Sequence, residues 1–191
     1  MTTVITLLKT GFEEIEALTI VDYLRRADIE VKMVSTTDDI YVTGDHGIVV
    51  KADMMLEDLD EAVDFIFIPG GMPGAEGLRD DEKVQALLRD HHEQGHPLAA
   101  ICAGPIALER AGILEGKKAT SYPGIEKELK SARNYLDELV VVDENVITSR
   151  GPSTAVYLAL ALIELIKGSE KKEEIKKDIL LNLVEEKIKE K

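Results

Sequence analysis

The sequence predicts an α/β sandwich, a mostly parallel sheet with helices on both faces. Three observations lead there. Strand-like and helix-like segments alternate along the chain. Two short runs, 64–68 and 97–101, are almost wholly apolar, as strands covered on both faces must be. Several strand candidates end in loops that are dense in glycine and proline or carry ionisable residues.

In chain order, residues 2–8 (TTVITLL) are β-branched and apolar, which suits a central strand. Ile15, Leu18, Val21, Leu24 and Ala27 recur at helical spacing and predict a helix over 14–27. Residues 30–35 alternate as a second strand, and 36–39 (TTDD) turn the chain. Residues 40–43 and 47–50 flank Gly44-Asp45-His46-Gly47 as a hairpin, and 53–60 reads as a single helical turn. The strand at 64–68 runs into 69–74 (PGGMPG), a loop whose residues permit unusual dihedrals. Val84, Leu87, Leu88 and His91 mark one side of a helix over 81–94. After the strand at 97–101, Pro105 opens a helix that continues through Ile106, Ala107, Leu108, Ala111 and Leu114. Residues 118–121 form a short strand, 126–133 a charged helix, and 139–142 with 146–149 a hairpin. A long helix runs to 167, an amphipathic one covers 170–183, and 184–191 form a charged tail.

The 191 residues, 45% hydrophobic and 31% charged, suffice for one domain with a full core. Asp and Glu outnumber Lys and Arg by 37 to 23, a formal charge of −14. Such a surface repels phosphate backbones and anionic lipid, so stable nucleic-acid or membrane binding is not expected. The lone cysteine rules out an internal disulfide, and no metal-ligand spacing is present. The first eight residues lack the basic start of a signal peptide, and the longest apolar segment is too short to cross a bilayer. The expected compartment is a reducing cytoplasm, and no cofactor is implied.

In a parallel sheet, functional groups collect at the carboxyl ends of the strands, where the strand order reverses. Four loops qualify: 11–16, 69–74, 102–105 and 150–154. Cys102 sits on a nearly residue-free turn between strand and helix, the arrangement of a nucleophile elbow with cysteine in place of serine. A thiol there faces the unpaired N–H groups at a helix start, which favour the thiolate; the competing reading is a small buried hydrophobe. Glu13, Glu14 and Glu16 read as first-turn acids that complement a helix N-terminus. Glu16 also lies at the start of the apolar stripe, where partial burial would raise its pKa and let it share a proton with the sulfur. The amides of Gly70, Gly71 and Ala103 are candidate oxyanion donors. Arg150 reads first as an ion-pair or dimer-contact residue. The histidines read poorly as catalysts: His91 and His92 fall late in a helix, His96 in a loop and His46 in a hairpin turn.

Gly11-Phe12-Glu13-Glu14-Ile15-Glu16, Ile68-Pro69-Gly70-Gly71, Ala99-Ala100-Ile101-Cys102-Ala103-Gly104-Pro105 and Thr148-Ser149-Arg150-Gly151-Pro152 together resemble the ThiJ/PfpI superfamily, in particular its parkinsonism-associated deglycase branch. The resemblance spans essentially the whole chain. It implies a single ThiJ/PfpI-like (class I glutamine amidotransferase-like) domain over 1–191, with a flavodoxin-like fold forming a homodimer. It further implies an oxidation-prone nucleophile at Cys102, a protonated carboxyl at Glu16 hydrogen-bonded to it, and oxyanion donation from Gly71 and Ala103. The activities it implies are cofactor-free conversion of methylglyoxal to lactate and removal of early glyoxal adducts from protein and nucleotide. Redox sensing and chaperone-like protection under oxidative stress are implied as alternatives. Two departures stand out. Protease-type members carry His directly after the cysteine, where this chain has Ala103, so peptidase activity is not expected. Many deglycase-branch members carry His where this chain has Tyr122, a weak base at neutral pH. Tyr122, Arg150 and Pro152 are therefore candidate pocket or dimer-contact residues.

Overall fold

The computed structural model describes residues 2–60 and 62–190. Its framework is a seven-stranded sheet built from β1 (Thr3–Leu8), β2 (Glu30–Ser35), β5 (Met54–Met55), β6 (Phe65–Ile68), β7 (Leu98–Ile101), β10 (Val140–Asp143) and β11 (Val146–Ser149). The order across it is β10-β11-β7-β6-β1-β2-β5. Every neighbouring pair is parallel except β10 with β11. This is the α/β sandwich that the alternation predicts, in the flavodoxin-like form that the resemblance implies.

Strand alternation divides the core in two. On one face Val4, Leu8, Phe65, Phe67, Ala99 and Ile101 pack under α1 (Glu14–Arg26) and α5 (Ala155–Lys167). On the other, Ile5, Leu7, Ile66, Ile68, Leu98 and Ala100 meet α2 (Gly74–Asp80), α3 (Glu82–Glu93) and α4 (Pro105–Arg110). Because β1 leads outward to β2 while β6 lies on its other side, strand order reverses between β1 and β6. That crevice is where a doubly wound sheet places its chemistry.

The hairpin at 40–50 forms as β3 (Tyr41–Thr43) and β4 (Val49–Lys51), outside the main sheet. Four expectations change. Residues 53–60 are not simply helical: Asp53 Oδ2 accepts the Met33 N–H at 2.8 Å, which draws Met54 and Met55 onto the sheet edge before a 3₁₀ turn at Leu56–Asp58. The loop at 69–74 leads into an additional helix, α2, and Asp81 breaks it from α3 by capping the Lys83 and Val84 N–H groups. The helix expected over 126–133 is a 3₁₀ turn at Ile125–Lys127, after which β9 (Asn134–Tyr135) pairs with β8 (Lys118–Ala119). There the Glu109 carboxylate takes the Ser131 N–H and hydroxyl at 2.9 and 2.7 Å, local bonds that compete with a helical ladder.

The last expectation to change concerns 170–183. It divides into α6 (Ser169–Asp178) and α7 (Leu181–Lys189), so the charged tail is largely helical, with residue 191 outside the described set. The break is Leu180, held at φ 59 in the left-handed region. The bend lets Ile179 and Leu181 both pack against the α1–α5 core. Among the described residues no helix is long and apolar enough to cross a membrane. Leu180 occupies a position where glycine is favoured, and the residue is 62% exposed. Leu180→Gly is therefore expected to stabilise the protein by about 1 kcal/mol, read as a higher urea midpoint at unchanged slope; a lower midpoint would show that the exposed side chain outweighs the strain.

Candidate active site

The elbow after β7 is tight. Cys102 has φ 61, a left-handed conformation rare for a non-glycine residue. Three backbone bonds hold it there. Its N–H donates to Ser149 O at 3.1 Å, its carbonyl accepts from Tyr122 N–H at 3.0 Å, and Gly104 N–H closes onto Ile101 O at 2.8 Å. The four strand-end loops come together around one cleft lined by Glu13, Gly71, Cys102 and Pro152, although Arg150 does not reach it. Glu13 N–H donates to Gly70 O at 2.9 Å, and Gly74 N–H to Gly11 O at 3.2 Å.

Glu16, in the first turn of α1, is fully buried, and its carboxyl is a hydrogen-bond partner of Cys102. Its Oε2 accepts the Gly70 N–H at 2.8 Å, while Oε1 has no partner among the described residues. This approach demands glycine at 70. A Cβ there would stand 2.5 Å from Glu16 Oε2 and 2.6 Å from Cys102 Cβ.

Burial sets the protonation of the pair. It pushes the Glu16 carboxyl up to about 7, against the lowering effect of its bonds to Cys102 and Gly70. It also pushes the Cys102 thiol up, to about 12, helped by the neighbouring Glu16 charge. The Ala103 and Gly71 N–H groups act on the sulfur in the opposite sense and stabilise its anion. The expectation of a thiolate favoured by a helix start is corrected here. Helix α4 has only six residues, and desolvation beside an acid outweighs its dipole. Above about pH 7 the pair holds one negative charge between two atoms. Thiolate arises when the remaining proton sits on Glu16.

The sulfur, half-buried, opens into a cleft of about 400 Å³ whose lining includes Glu13, Asp45, His46, Gly71, Ala103, Tyr122 and Pro152. Gly70 is not part of that lining, and its N–H, expected as an oxyanion donor, is engaged by Glu16 Oε2 instead. Tyr122 is half exposed and also borders a neighbouring groove with Pro152 and Arg150. Arg150 does not line the Cys102 cleft. It makes an ion pair with Asp137, in keeping with its first reading.

Two residues carry more than the sequence suggested. Glu14 does not simply complement a helix start: Oε1 accepts the His46 and Ile48 N–H groups at 2.9 and 3.2 Å, and Oε2 lies 3.1 Å from His46 Nδ1. Those bonds, with one to its own backbone, hold the carboxyl below its ordinary value although burial opposes them. His46 is thereby fixed at the cleft, which no local signal in a hairpin turn reveals. Glu13, Glu14 and His46 are also the described residues best grouped for a cation, with ligand atoms within 4.8 Å of one another. The Glu14 oxygens, however, are already engaged in holding the hairpin.

The model of the DJ-1/PfpI family matches residues 2–165. The chain belongs to that family. Among its relatives, DJ-1 homolog A of Arabidopsis thaliana is 36% identical over 94% of this chain. The chain spans about half the length of that relative, 46%. A Pyrococcus horikoshii protein named as a deglycase is 34% identical over 86% of this chain and 99% of its own length. The structure of Toxoplasma gondii DJ-1, described as oxidized, superposes with a TM-score of 0.89 at 38% identity, covering 94% of this chain and 98% of that one. The family membership agrees with the resemblance carried by the motifs around Glu16, Gly70 and Cys102.

Glu16 is protonated more readily in the folded chain, about 7, than at its ordinary value of 4.5. Stability from the neutral buried carboxyl is thus complete below about pH 4.5 and lost as the pH rises through 7. Glu16→Gln should match the wild type at pH 4.5 and exceed it at pH 8 by roughly 3 kcal/mol, at ~1.4 kcal/mol per pH unit. Urea midpoints at the two pH values test this, and a gap that does not change with pH refutes it.

Proposed function

We propose that this protein is a cofactor-free, cysteine-dependent glyoxalase/deglycase. It acts on 2-oxoaldehydes such as methylglyoxal and glyoxal, or on their early adducts with protein and nucleotide. The observation that carries this reading is the Glu16 carboxyl, buried against Cys102 and raised to about 7, beneath two N–H groups directed at the sulfur. The relative named as a deglycase supports it.

In the proposed reaction the thiolate, with Glu16 protonated, adds to the aldehyde carbon. The Gly71 and Ala103 N–H groups stabilise the alkoxide, and Glu16 protonates it to a hemithioacetal. Glu16, now a carboxylate, removes the hydrogen on that carbon and returns it to the adjacent one. The product is a thioester of the 2-hydroxy acid. Water cleaves it, releasing the acid and restoring the thiol. Methylglyoxal plus water gives lactate, with no external oxidant or reductant. Ala103 in place of a histidine argues against peptidase chemistry.

The decisive measurement is lactate formed from methylglyoxal by pure protein. Many turnovers per subunit are expected, abolished in Cys102→Ala and reduced at least a hundredfold in Glu16→Gln, as for loss of a general acid–base group. The rate should rise as the pH passes through about 7, where the pair loses its first proton. A rate equal to that of free thiol would reject the enzyme.

One observation favours a second reading, a redox sensor with chaperone-like protection: the Toxoplasma relative is described as oxidized. Here a half-buried sulfur beside N–H donors and a protonated carboxyl suits a sulfinate. Mild peroxide that leaves the mass of Cys102 unchanged would remove it. We also propose a cytoplasmic setting, where a lone thiol stays reduced, and a homodimer. Ile15, Tyr41, Ile48 and Val49 are each more than half exposed on the first turn of α1 and on the hairpin, which suits an apolar contact with a second copy. Light scattering at micromolar protein should give twice the 21.1 kDa chain mass, and the monomer mass would rule the dimer out.

A further inference from the structure

The hemithioacetal proposed above has two oxygens. The one on the sulfur-bound carbon lies with the Gly71 and Ala103 N–H groups. The other, a carbonyl one carbon further out, must gain a proton when Glu16 removes the hydrogen between them, or a costly dianionic enediolate results. Glu16 handles the carbon-bound proton and cannot also protonate that oxygen. Among the described side chains that line the cleft, those with a hydrogen to donate besides Cys102 itself are His46 and Tyr122. Tyrosine exchanges protons poorly near neutrality. Histidine does so readily.

His46 is built as an oriented group although 66% of its side chain is exposed. Its Nδ1 lies 3.1 Å from Glu14 Oε2, and its backbone N–H is held by Glu14 Oε1 at 2.9 Å. Gly44 makes room for this: a Cβ there would fall 2.3 Å from the Glu14 carboxyl carbon. A carboxylate on Nδ1 fixes the tautomer and leaves Nε2 for the substrate, as a buried acid orients a catalytic histidine elsewhere. We propose that His46, oriented by Glu14, is a general acid–base group that exchanges protons with the oxygens of an aldehyde bound to Cys102. This assignment rests on the aldehyde reading above. Protonated His46 gives its Nε2 proton to the outer carbonyl as Glu16 takes the carbon-bound hydrogen, forming an enediol. When Glu16 returns that hydrogen to the outer carbon, the inner hydroxyl passes its proton to His46 and the thioester forms. Both groups end as they began.

The groups facing His46 are Glu13 and Glu14 from the start of α1, Asp45 from its own loop, and Cys102 and Tyr122 across the cleft. The hydrogen bond to Glu14 and the charges of Glu13, Glu14 and Asp45 hold its pKa above the ordinary histidine value. Turnover should therefore rise through about pH 7 with the Cys102–Glu16 pair and fall at higher pH as His46 loses its proton.

The test is steady-state methylglyoxal turnover against pH for the full chain, His46→Asn and His46→Ala, the last with and without added imidazole. His46→Asn should lower kcat about a hundredfold, leave KM within about threefold, and lose the high-pH fall. Imidazole should restore part of the His46→Ala rate. Wild-type kcat and an intact high-pH limb in His46→Asn overturn the assignment. So does a defect confined to KM that imidazole does not rescue, since a loosened hairpin alone would produce it. Wild-type protein no faster than free thiol overturns the aldehyde reading itself, and the role of His46 with it.

Discussion

One contact governs the rest of the structure: a carboxyl from the first turn of α1 buried against a sulfur at the end of β7. Neither group reaches the other through its own element. Glu16 follows β1 and Cys102 follows β7, with β6 between them in the sheet, so the contact spans three parallel strand ends. It closes because the chain after β6 is glycine where both would collide with a side chain. Desolvation then does the chemical work. A carboxyl in water would be ionised and inert beside a thiol, whereas this one holds or yields its proton near neutrality.

Such a site is costly. A left-handed non-glycine residue at Cys102 stores roughly 1–3 kcal/mol of strain, and the ionised Glu16 is destabilising at alkaline pH. The frame around it offsets both. Val4 to Leu8, Phe65 to Ile68 and Leu98 to Ile101 are fully or almost fully buried and, Thr6 apart, apolar, and they feed two apolar cores on opposite faces of the sheet. At the site, the left-handed non-glycine residue is the elbow cysteine. The bonds to Ser149 O and from Tyr122 N–H tie the elbow to the end of β11 and to the loop after β8, so it cannot relax without disturbing an interior strand of the sheet.

This distribution explains what could be read from the sequence. The central strands were legible because each is a continuous apolar run, a pattern that parallel packing imposes and few alternatives mimic. Glu16 was legible because an acid lies at the start of the apolar stripe of its helix. Leu180, Asp53 and Glu109 were not. Each redirects the chain through a bond or a bend involving residues distant in sequence, and local periodicity carries no trace of that. Glu14 was misread for the same reason. An acid in a first turn looks sufficient as a helix complement, and its attachment to residues 46 and 48 is a tertiary fact. The sulfur's proton affinity also escaped prediction, since the position of Cys102 gave its neighbour in the helix but not how little water reaches it.

The raised value of Glu16 bears directly on what the pair can do. Two buried groups that share one charge keep most of it on the carboxylate, because the thiol holds its proton far more tightly. The reactive arrangement, thiolate with protonated acid, is thus a minor form within hydrogen-bond reach of the major one. Reaching it requires moving a proton between two atoms already in contact, without bringing in a second charge. Attack on a carbonyl then removes the negative charge from the sulfur, so the Glu16 charge that helps burial raise the thiol no longer faces an anion there. The acid that protonates the new alkoxide becomes a base at the moment a carbon-bound hydrogen comes within its reach. A carboxyl at its ordinary value would be a poor donor at neutral pH, and a fully exposed thiol would gain nothing from the acid beside it. Burial of both groups in one crevice is what makes one residue serve in both roles.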